Sequence, residues 1–297
     1  HDSCVESVRG DFGGLYNFSK FLSNNHYDEP IMVSSTDGVG TKTIFILDNM
    51  EKNAGMIVLG QDIVNHCIND ILVKGAIPLM FLDYFASSVI NSTLVKSFID
   101  GVSISCKKTG CNLMGGETAE MPGVYQEGKI DIVGTILGVV DKSNIINGKE
   151  TIKIGDKVYG LRSNGPHTNG YSLLRKVYSE NELEVFPELL TPHKCYLDDI
   201  KGLWNKGIKI HGLCHITGGG YYDNLPRVLP DGMGVKLNID INEIYKKIGE
   251  QGDISDKELL RVFNCGYGML VFVDTEEKMT EDFILLGEVY EGEIEIN

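Results

Sequence analysis

Ile31-Met32-Val33-Ser34-Ser35-Thr36-Asp37-Gly38-Val39-Gly40-Thr41-Lys42, followed by Thr43 to Leu47, sets the frame for the first half of this chain. Ile31 to Ser35 reads as a short strand, Thr36 to Lys42 as a glycine-containing loop, and the β-type stretch Thr43 to Leu47 as a second strand clamping that loop. Downstream, Met56, Ile57, Gly60, Ile63, Val64, Cys67, Ile68, Ile71 and Leu72 recur at helical spacing. They predict a helix of about five turns from Ala54 to Lys74, stopped by Gly75 and Pro78. Pro78 to Ala86 is a strand, Asn91 to Thr109 an amphipathic helix, Cys111 to Met114 the start of another strand, and Ile130 to Val140 a further one.

The segment Asn147 to Asp156, with two glycines and little apolar content, reads as a linker, which divides the chain into domains 1–150 and 151–297. At 297 residues both halves are large enough to bury a core. Beyond the linker a strand is expected at Lys157 to Leu161, then a loop over Ser163 to Gly170 and helices at Tyr171 to Tyr178 and Pro192 to Lys206. A helical stretch is expected after Gly218-Gly219-Gly220, then a strand at Gly234 to Leu237 and helices at Ile241 to Ile248 and Ser255 to Phe263. Strands at Gly268 to Val273 and Leu285 to Tyr290 complete the pattern. No repeat period is present. The order of elements predicts an α+β fold in two unlike halves.

The formal charge of -15 repels nucleic-acid backbones and anionic membrane surfaces, and no basic stretch offsets it. A phosphorylated ligand would therefore depend on helix N-termini, backbone amides, a few placed cations or a metal held by carboxylates. Seven cysteines without a C-x-x-C pair or zinc spacing fit free thiols in a reducing, cytoplasmic setting. No apolar run approaches the ~18 residues of a membrane span; Ile130 to Val140 is interrupted by Gly134 and Gly138. The opening residues are polar and begin with His, which reads as a tag remnant or a cut.

Five stretches carry residue types suited to chemistry. In Asp37 to Lys42 the glycines Gly38 and Gly40 admit a ligand to the backbone, Asp37 can hold a metal, and Lys42 can neutralise phosphate oxygens. The loop lacks the G-x-x-x-x-G-K-[ST] pattern of a Walker A motif, and the same residues also suit a plain hairpin turn. Asp62, His66 and Asn69 share one helix face with Asp70 beside them; the bland alternative is a solvated face. Gly115-Gly116-Glu117 through Glu120 leaves a strand with two carboxylates suited to octahedral Mg²⁺. Asn164 to Gly170 places His167 and Asn169 before a helix, where His167 is either a ligand donor or a surface histidine. Thr217-Gly218-Gly219-Gly220 offers backbone amides at a helix start, an arrangement shared with ordinary linkers.

Taken in order, these segments resemble the phosphoribosylformylglycinamidine cyclo-ligase family, also called aminoimidazole ribonucleotide synthetase. The resemblance runs from about Val8 to Glu288. It rests on Ser35 to Lys42, Phe81-Leu82-Asp83-Tyr84, Gly115 to Gly123, Ser163 to Leu173, Ile216 to Gly220 and Phe263 to Gly266, with Asp70 to Pro78 fitting the wider superfamily pattern D-x-x-x-x-G-A-x-P. That superfamily also includes thiamin-phosphate kinase, selenophosphate synthetase and a hydrogenase maturation protein.

The resemblance implies a homodimer whose N-terminal domains pair their sheets into a barrel, a C-terminal α/β sandwich, and ATP and a ribonucleotide bound along clefts between the two domains. It further implies ATP-dependent, Mg²⁺-assisted ring closure of formylglycinamidine ribonucleotide in purine biosynthesis. Carried onto this sequence, Asp37, Asp62, Asp70 and Glu117 are the metal candidates. Asp37, Gly38, Gly40, Thr41, Lys42, Asn69, Gly115 and Gly116 are the nucleotide-side candidates; Thr36, His167, Asn169, Gly218 and Gly219 face the substrate. Lys42, Asp70 and His167 are the catalytic candidates. The family normally carries several tens of residues upstream of Val8 to Gly14, including a lysine-bearing segment that reaches the nucleotide. Its lack predicts a chain that folds and dimerises but binds ATP weakly or turns over slowly.

Overall fold

Alternating and helical patterns of the first unit, His1–Ile145, resolve in the computed structural model into α1 (Phe18–Asn24), β1 (Pro30–Gly38), α2 (Lys42–Asn49), α3 (Lys52–Leu72), β2 (Ile77–Ser87), α4 (Ser92–Thr109), β3 (Asn112–Glu120) and β4 (Ile130–Asp141). The structure describes residues 2–6, 12–180 and 184–297; Val8 to Asp11, part of the stretch that resembles the family, lie outside the described residues. The four strands form one sheet in the order β1-β4-β2-β3, with β4 antiparallel to both neighbours and β3 parallel to β2. A parallel neighbour needs a crossover, and α4 provides it.

Helices α3 and α4 pack closely because each presents a glycine to the other's backbone. A methyl group on Gly60 would lie 2.2 Å from the Phe98 carbonyl oxygen, and one on Gly101 would lie 2.2 Å from that of Ile57. Beneath them Ile63, Ile68, Ile71, Phe81, Ile132 and Ile136 are fully buried. The opposite sheet face carries Met32 and Leu82 at 49% and 38% exposure, unusual for apolar side chains in mid-strand.

Three expectations for this unit change. Thr36, Asp37 and Gly38 are not loop but the end of β1, because they pair with Thr135, Gly134 and Val133, which leaves only Val39 to Thr41 between β1 and α2. Thr43 to Leu47 is helical, not a strand. Its β-branched residues favour extended backbone locally, but Lys42, Thr43, Phe45 and Ile46 reach the interior together only on a helix, and burial overrides propensity. Gly115 to Glu120 is a strand continuing β3, not a loop, because its backbone pairs in register with Leu82 to Ser87. Main-chain pairing needs no apolar side chain, so the glycine pair concealed it.

The second unit, Ile146–Asn297, contains α5 (Gly148–Thr151), β5 (Lys157–Arg162), α6 (Tyr171–Glu180), α7 (Leu197–Asn205), β6 (Ile210–His215), α8 (Gly220–Asn224), β7 (Met233–Leu237), α9 (Glu243–Gly252), α10 (Asp256–Val262), β8 (Tyr267–Val273), β9 (Phe283–Glu291) and β10 (Glu295–Ile296). Its six-stranded sheet runs β10-β7-β9-β5-β8-β6. All seven residues of β8 are buried, as expected of an interior strand covered on both faces. The expected helix from Pro192 begins only at Leu197, and the short β6, paired to β8, was concealed by its two histidines. The expected linker carries the one-turn α5, and the helical stretch after the glycine triplet is a five-residue turn.

Candidate active site

In the first unit, α3 presents Asp62, His66 and Asn69 not to solvent but to the interior, at exposures of 0%, 3% and 0%, with Asp62 facing α2 and His66 facing β1. Asp62 accepts from the Lys42 ammonium at 2.8 Å, with both side chains fully buried. Burial pushes the Lys42 pKa down, and the Asp62 charge only partly restores it. The lysine expected at the phosphate thus anchors the first turn of α2 to α3, and the carboxylate expected at the metal is its counter-ion.

One turn on, His66 Nε2 lies 3.0 Å from Asp37 Oδ2 and 3.5 Å from Asp70 Oδ2, and Ser35 Oγ donates to Asp70 at 3.1 Å. Burial alone would lower the His66 pKa, but hydrogen bonding to Asp37 and the charges of Asp70, Asp37 and Asp62 raise it overall. Burial would raise the Asp37 pKa, and the His66 hydrogen bond and charge bring it below the ordinary value. Asp37, His66 and Asp70 place one ligand atom each within 4.8 Å of the others, with Asp37 about half exposed. Two carboxylates opening to water beside an imidazole suit a hard divalent cation that keeps several waters.

Register separates the remaining candidates. Asp37 pairs with Gly134, Gly134 with Asp83, and Asp83 with Gly116, so these four form one row across the sheet. Residues directly paired share a face, and this row lies on the side of α3, because a methyl on Gly134 would touch Ile63. Asp83 sits 7% exposed in that row, and burial pushes its carboxyl up to about 6. Thr36, Gly115 and Glu117 occupy the alternate rows and point to the opposite face, where Thr36 is hydrogen-bonded to Thr135 at 2.9 Å. Glu117 is therefore not in the Asp37–Asp70 cluster. Gly38 and Gly40 form the turn into α2, Gly40 with φ 66°, and Thr41 caps that helix by position.

In the second unit the loop Ser163 to Gly170 is fixed from below by Asn264. That side chain accepts from Ser163, Tyr245 and the Gly266 amide and donates to the Gly165 carbonyl, all between 2.8 and 3.0 Å. The loop holds His167 at φ 64° and buries it at 2% exposure. His167 stacks on His193 with ring centroids 4.0 Å apart, and His193 Nε2 lies 3.1 Å from His215 Nε2. Tyr196 Oη is 3.4 Å from His167 Nε2. Asn169 and Gly218 are neighbours: a methyl on Gly218 would sit 3.4 Å from Asn169 Oδ1. Gly219, at φ 85°, caps the short α8. Sequence reading placed His66 on the polar face of the helix without assigning it a role, cited Asp83 only within a family signature, and missed His193, Tyr196 and His215, which come from different elements with no motif spacing.

Family models match both units: the AIR synthase related protein N-terminal domain over residues 25–140 and its C-terminal domain over 153–291. The class is thus a two-domain AIR synthase related protein. Among curated relatives, phosphoribosylformylglycinamidine cyclo-ligases from Lawsonia intracellularis and Thermoanaerobacter pseudethanolicus are 44% and 42% identical, covering 92% and 94% of this chain and 79% and 88% of their own lengths. The chain belongs to the phosphoribosylformylglycinamidine cyclo-ligase family. Solved structures with the same fold include thiamine monophosphate kinase from Aquifex aeolicus (TM-score 0.65, 17% identity, 94% of each chain) and the hydrogenase maturation protein HypE of E. coli (TM-score 0.69, 15% identity, 99% of this chain and 89% of that one). At such identity the likeness concerns the fold alone. No helix among the described residues is long and apolar enough to cross a membrane.

Proposed function

We propose that the chain closes the imidazole ring of aminoimidazole ribonucleotide, using ATP and releasing ADP and phosphate. The reading is carried by identity of 44% to a cyclo-ligase across 92% of the chain, and supported by a cluster of two carboxylates and an imidazole with the donor set for a divalent cation. In the reaction the formyl oxygen of formylglycinamidine ribonucleotide attacks the γ-phosphorus and ADP departs. The amidine nitrogen then bonds to the formyl carbon, the carbon–oxygen bond breaks with loss of phosphate, and the nitrogen gives up a proton.

Phosphoryl transfer is served chiefly by positioning and charge neutralisation. Asp37 and Asp70 would hold Mg²⁺, which when bound neutralises phosphate oxygens. His66, its pKa raised, fixes both carboxylates by donating to Asp37 and attracting Asp70. The Lys42–Asp62 pair locks the turn Gly38 to Thr41 against α3, and Asn69 is buried two turns further along the same helix. His167, with Asn169, Gly218 and Gly219, serves the ribonucleotide, and His167 takes the proton lost on closure. ADP release is expected to require both Mg²⁺ and formylglycinamidine ribonucleotide, with aminoimidazole ribonucleotide as product; ADP release that ignores the ribonucleotide would sink the assignment.

The sheet face carrying Met32, Thr36, Leu82 and Glu117 is proposed to pair with its copy in a homodimer, since half-exposed Met32 and Leu82 gain by burial there. Sedimentation of a Leu82→Lys variant as a monomer is the expected result.

A further inference from the structure

Three buried imidazoles with ligand atoms within 4.8 Å of one another suggest a metal cage. Their geometry argues otherwise. His167 and His193 are stacked with ring planes 17° apart, so their in-plane lone pairs run nearly parallel and do not converge on one point. The group is better understood from the hydrogen bonds at Tyr196.

Tyr196 is fully buried beside His167, and its hydroxyl meets three groups. The Arg162 carbonyl oxygen lies 3.4 Å away and can only accept. The Gly268 backbone amide also reaches the hydroxyl oxygen and can only donate. That amide is available because the register of β5 on β8 slips between Leu161 and Arg162, so that Leu161 pairs with Met269, Arg162 with Tyr267, and Gly268 is skipped. The third group is His167 Nε2 at 3.4 Å, whose role depends on the tautomer.

A phenolic hydroxyl has one proton and two lone pairs. Burial holds Tyr196 well above the usual phenol range, so the proton stays on it. The Arg162 carbonyl takes that proton, the Gly268 amide fills one lone pair, and the other accepts from His167. We infer that Tyr196 is a positioning residue that holds His167 in its Nε2–H tautomer, which makes Nδ1 the basic nitrogen. Space for this arrangement depends on Gly268: a methyl there would lie 2.2 Å from His167 Cε1 and 2.3 Å from Tyr196 Oη. Stacking on His193 fixes the ring plane. The inference rests on the reading of His167 as a residue of the ribonucleotide site; Nδ1 is itself buried here, so the inference specifies which ring nitrogen is protonated and not the route of a proton.

Long-range ¹H–¹⁵N correlation on the full chain labelled at histidine tests the tautomer without reference to activity. The expected result is a single Nε2–H form for His167 in the parent protein and a mixture in Tyr196→Phe, which keeps the ring and removes the hydroxyl. In parallel, Tyr196→Phe is expected to lower kcat for ring closure by roughly 10- to 100-fold with KM for the ribonucleotide within about threefold. An Nδ1–H form in the parent protein overturns the inference, as does an unchanged tautomer in Tyr196→Phe with kcat within about twofold of the parent. A His167→Gln variant separates the two claims: full activity there refutes the catalytic reading of His167, while the spectrum still decides what Tyr196 does.

Discussion

Asp83 gives the sharpest test of how the sheet builds its acidic row. The carboxylate lies in mid-strand between apolar Phe81 and Phe85, on the face covered by α3. Burial raises its pKa from 3.8 to about 6, with its own backbone amide pulling the other way. An acid whose folded pKa lies above its unfolded one favours folding while protonated, and that contribution is lost as pH rises from the unfolded value through the folded one. With pKa values of 3.8 and about 6, linkage gives a loss of about 1.3 kcal/mol between pH 5 and pH 7 from this group alone. Asp83→Asn keeps the shape and removes the titration. Urea unfolding followed by far-UV circular dichroism, without nucleotide or metal, is the assay. The amide's own hydrogen-bonding penalty is the same at both pH values and cancels in the comparison. The variant is expected to gain on the parent by about 1 kcal/mol on going from pH 5 to pH 7. Parallel pH dependences of the two proteins would refute the account of Asp83 as a desolvated carboxylate.

Other perturbations probe the packing around it. Gly60→Ala drives a methyl to 2.2 Å from the Phe98 carbonyl oxygen and 2.7 Å from the Val102 nitrogen, so α3 and α4 must part; a loss of about 1–3 kcal/mol in denaturant unfolding is expected, and a neutral result refutes the close approach. Lys42→Met leaves Asp62 buried without its cation and is expected to destabilise by about 3–5 kcal/mol, with much of that recovered in Lys42→Met/Asp62→Leu; an unchanged Tm in the single variant contradicts the pairing. His66, with a raised pKa, contributes stability that is complete below 6.5 and lost as pH climbs through its folded value. Asp37, with a lowered pKa, contributes above 3.8 and loses its contribution as pH falls through its folded value. His66→Gln should therefore flatten the decline in Tm above pH 6.5, and a slope identical to the parent's would count against the cluster.

Helix α3 was legible because nine apolar positions repeat at its period, and β2, α4 and β4 for similar reasons. Periodicity also placed Asp62, His66 and Asn69 on one face, but it carries no information on what covers that face. The cover is β1 with Asp37 and the first turn of α2 with Lys42, and α2 itself was misread because its β-branched residues favour strand until tertiary burial is counted. His193 and His215 leave no local signal: one lies in extended chain before α7 and the other at the end of β6, and only the pairing of β6 with β8 and the course of the chain into α7 bring them to His167. Asp83 did leave a signal, a lone carboxylate inside the apolar run Phe81 to Phe85, which is rarely tolerated without a reason.

The glycine-rich segments and the buried polar residues divide the work differently from what their composition suggests. Gly115 and Gly116 extend an edge strand, and Gly218 and Gly219 make the turn into a helix too short to gather much dipole at its N-terminus. Charge and proton-handling groups sit instead beneath such segments, on α3, β2 and the core side of the second sheet, where side chains are held by several partners each. Asn264 shows why this matters for precision: through contacts to Ser163, Gly165, Tyr245 and Gly266 it fixes the loop that carries His167, without being close in sequence to any of its chemistry. A buried amide so engaged cannot move without leaving polar groups unsatisfied, at about 1–3 kcal/mol each. The loop's backbone is thereby held to one conformation, including the positive φ that His167 needs, and the Tyr196 hydrogen bond can select one tautomer only because the ring it addresses does not wander.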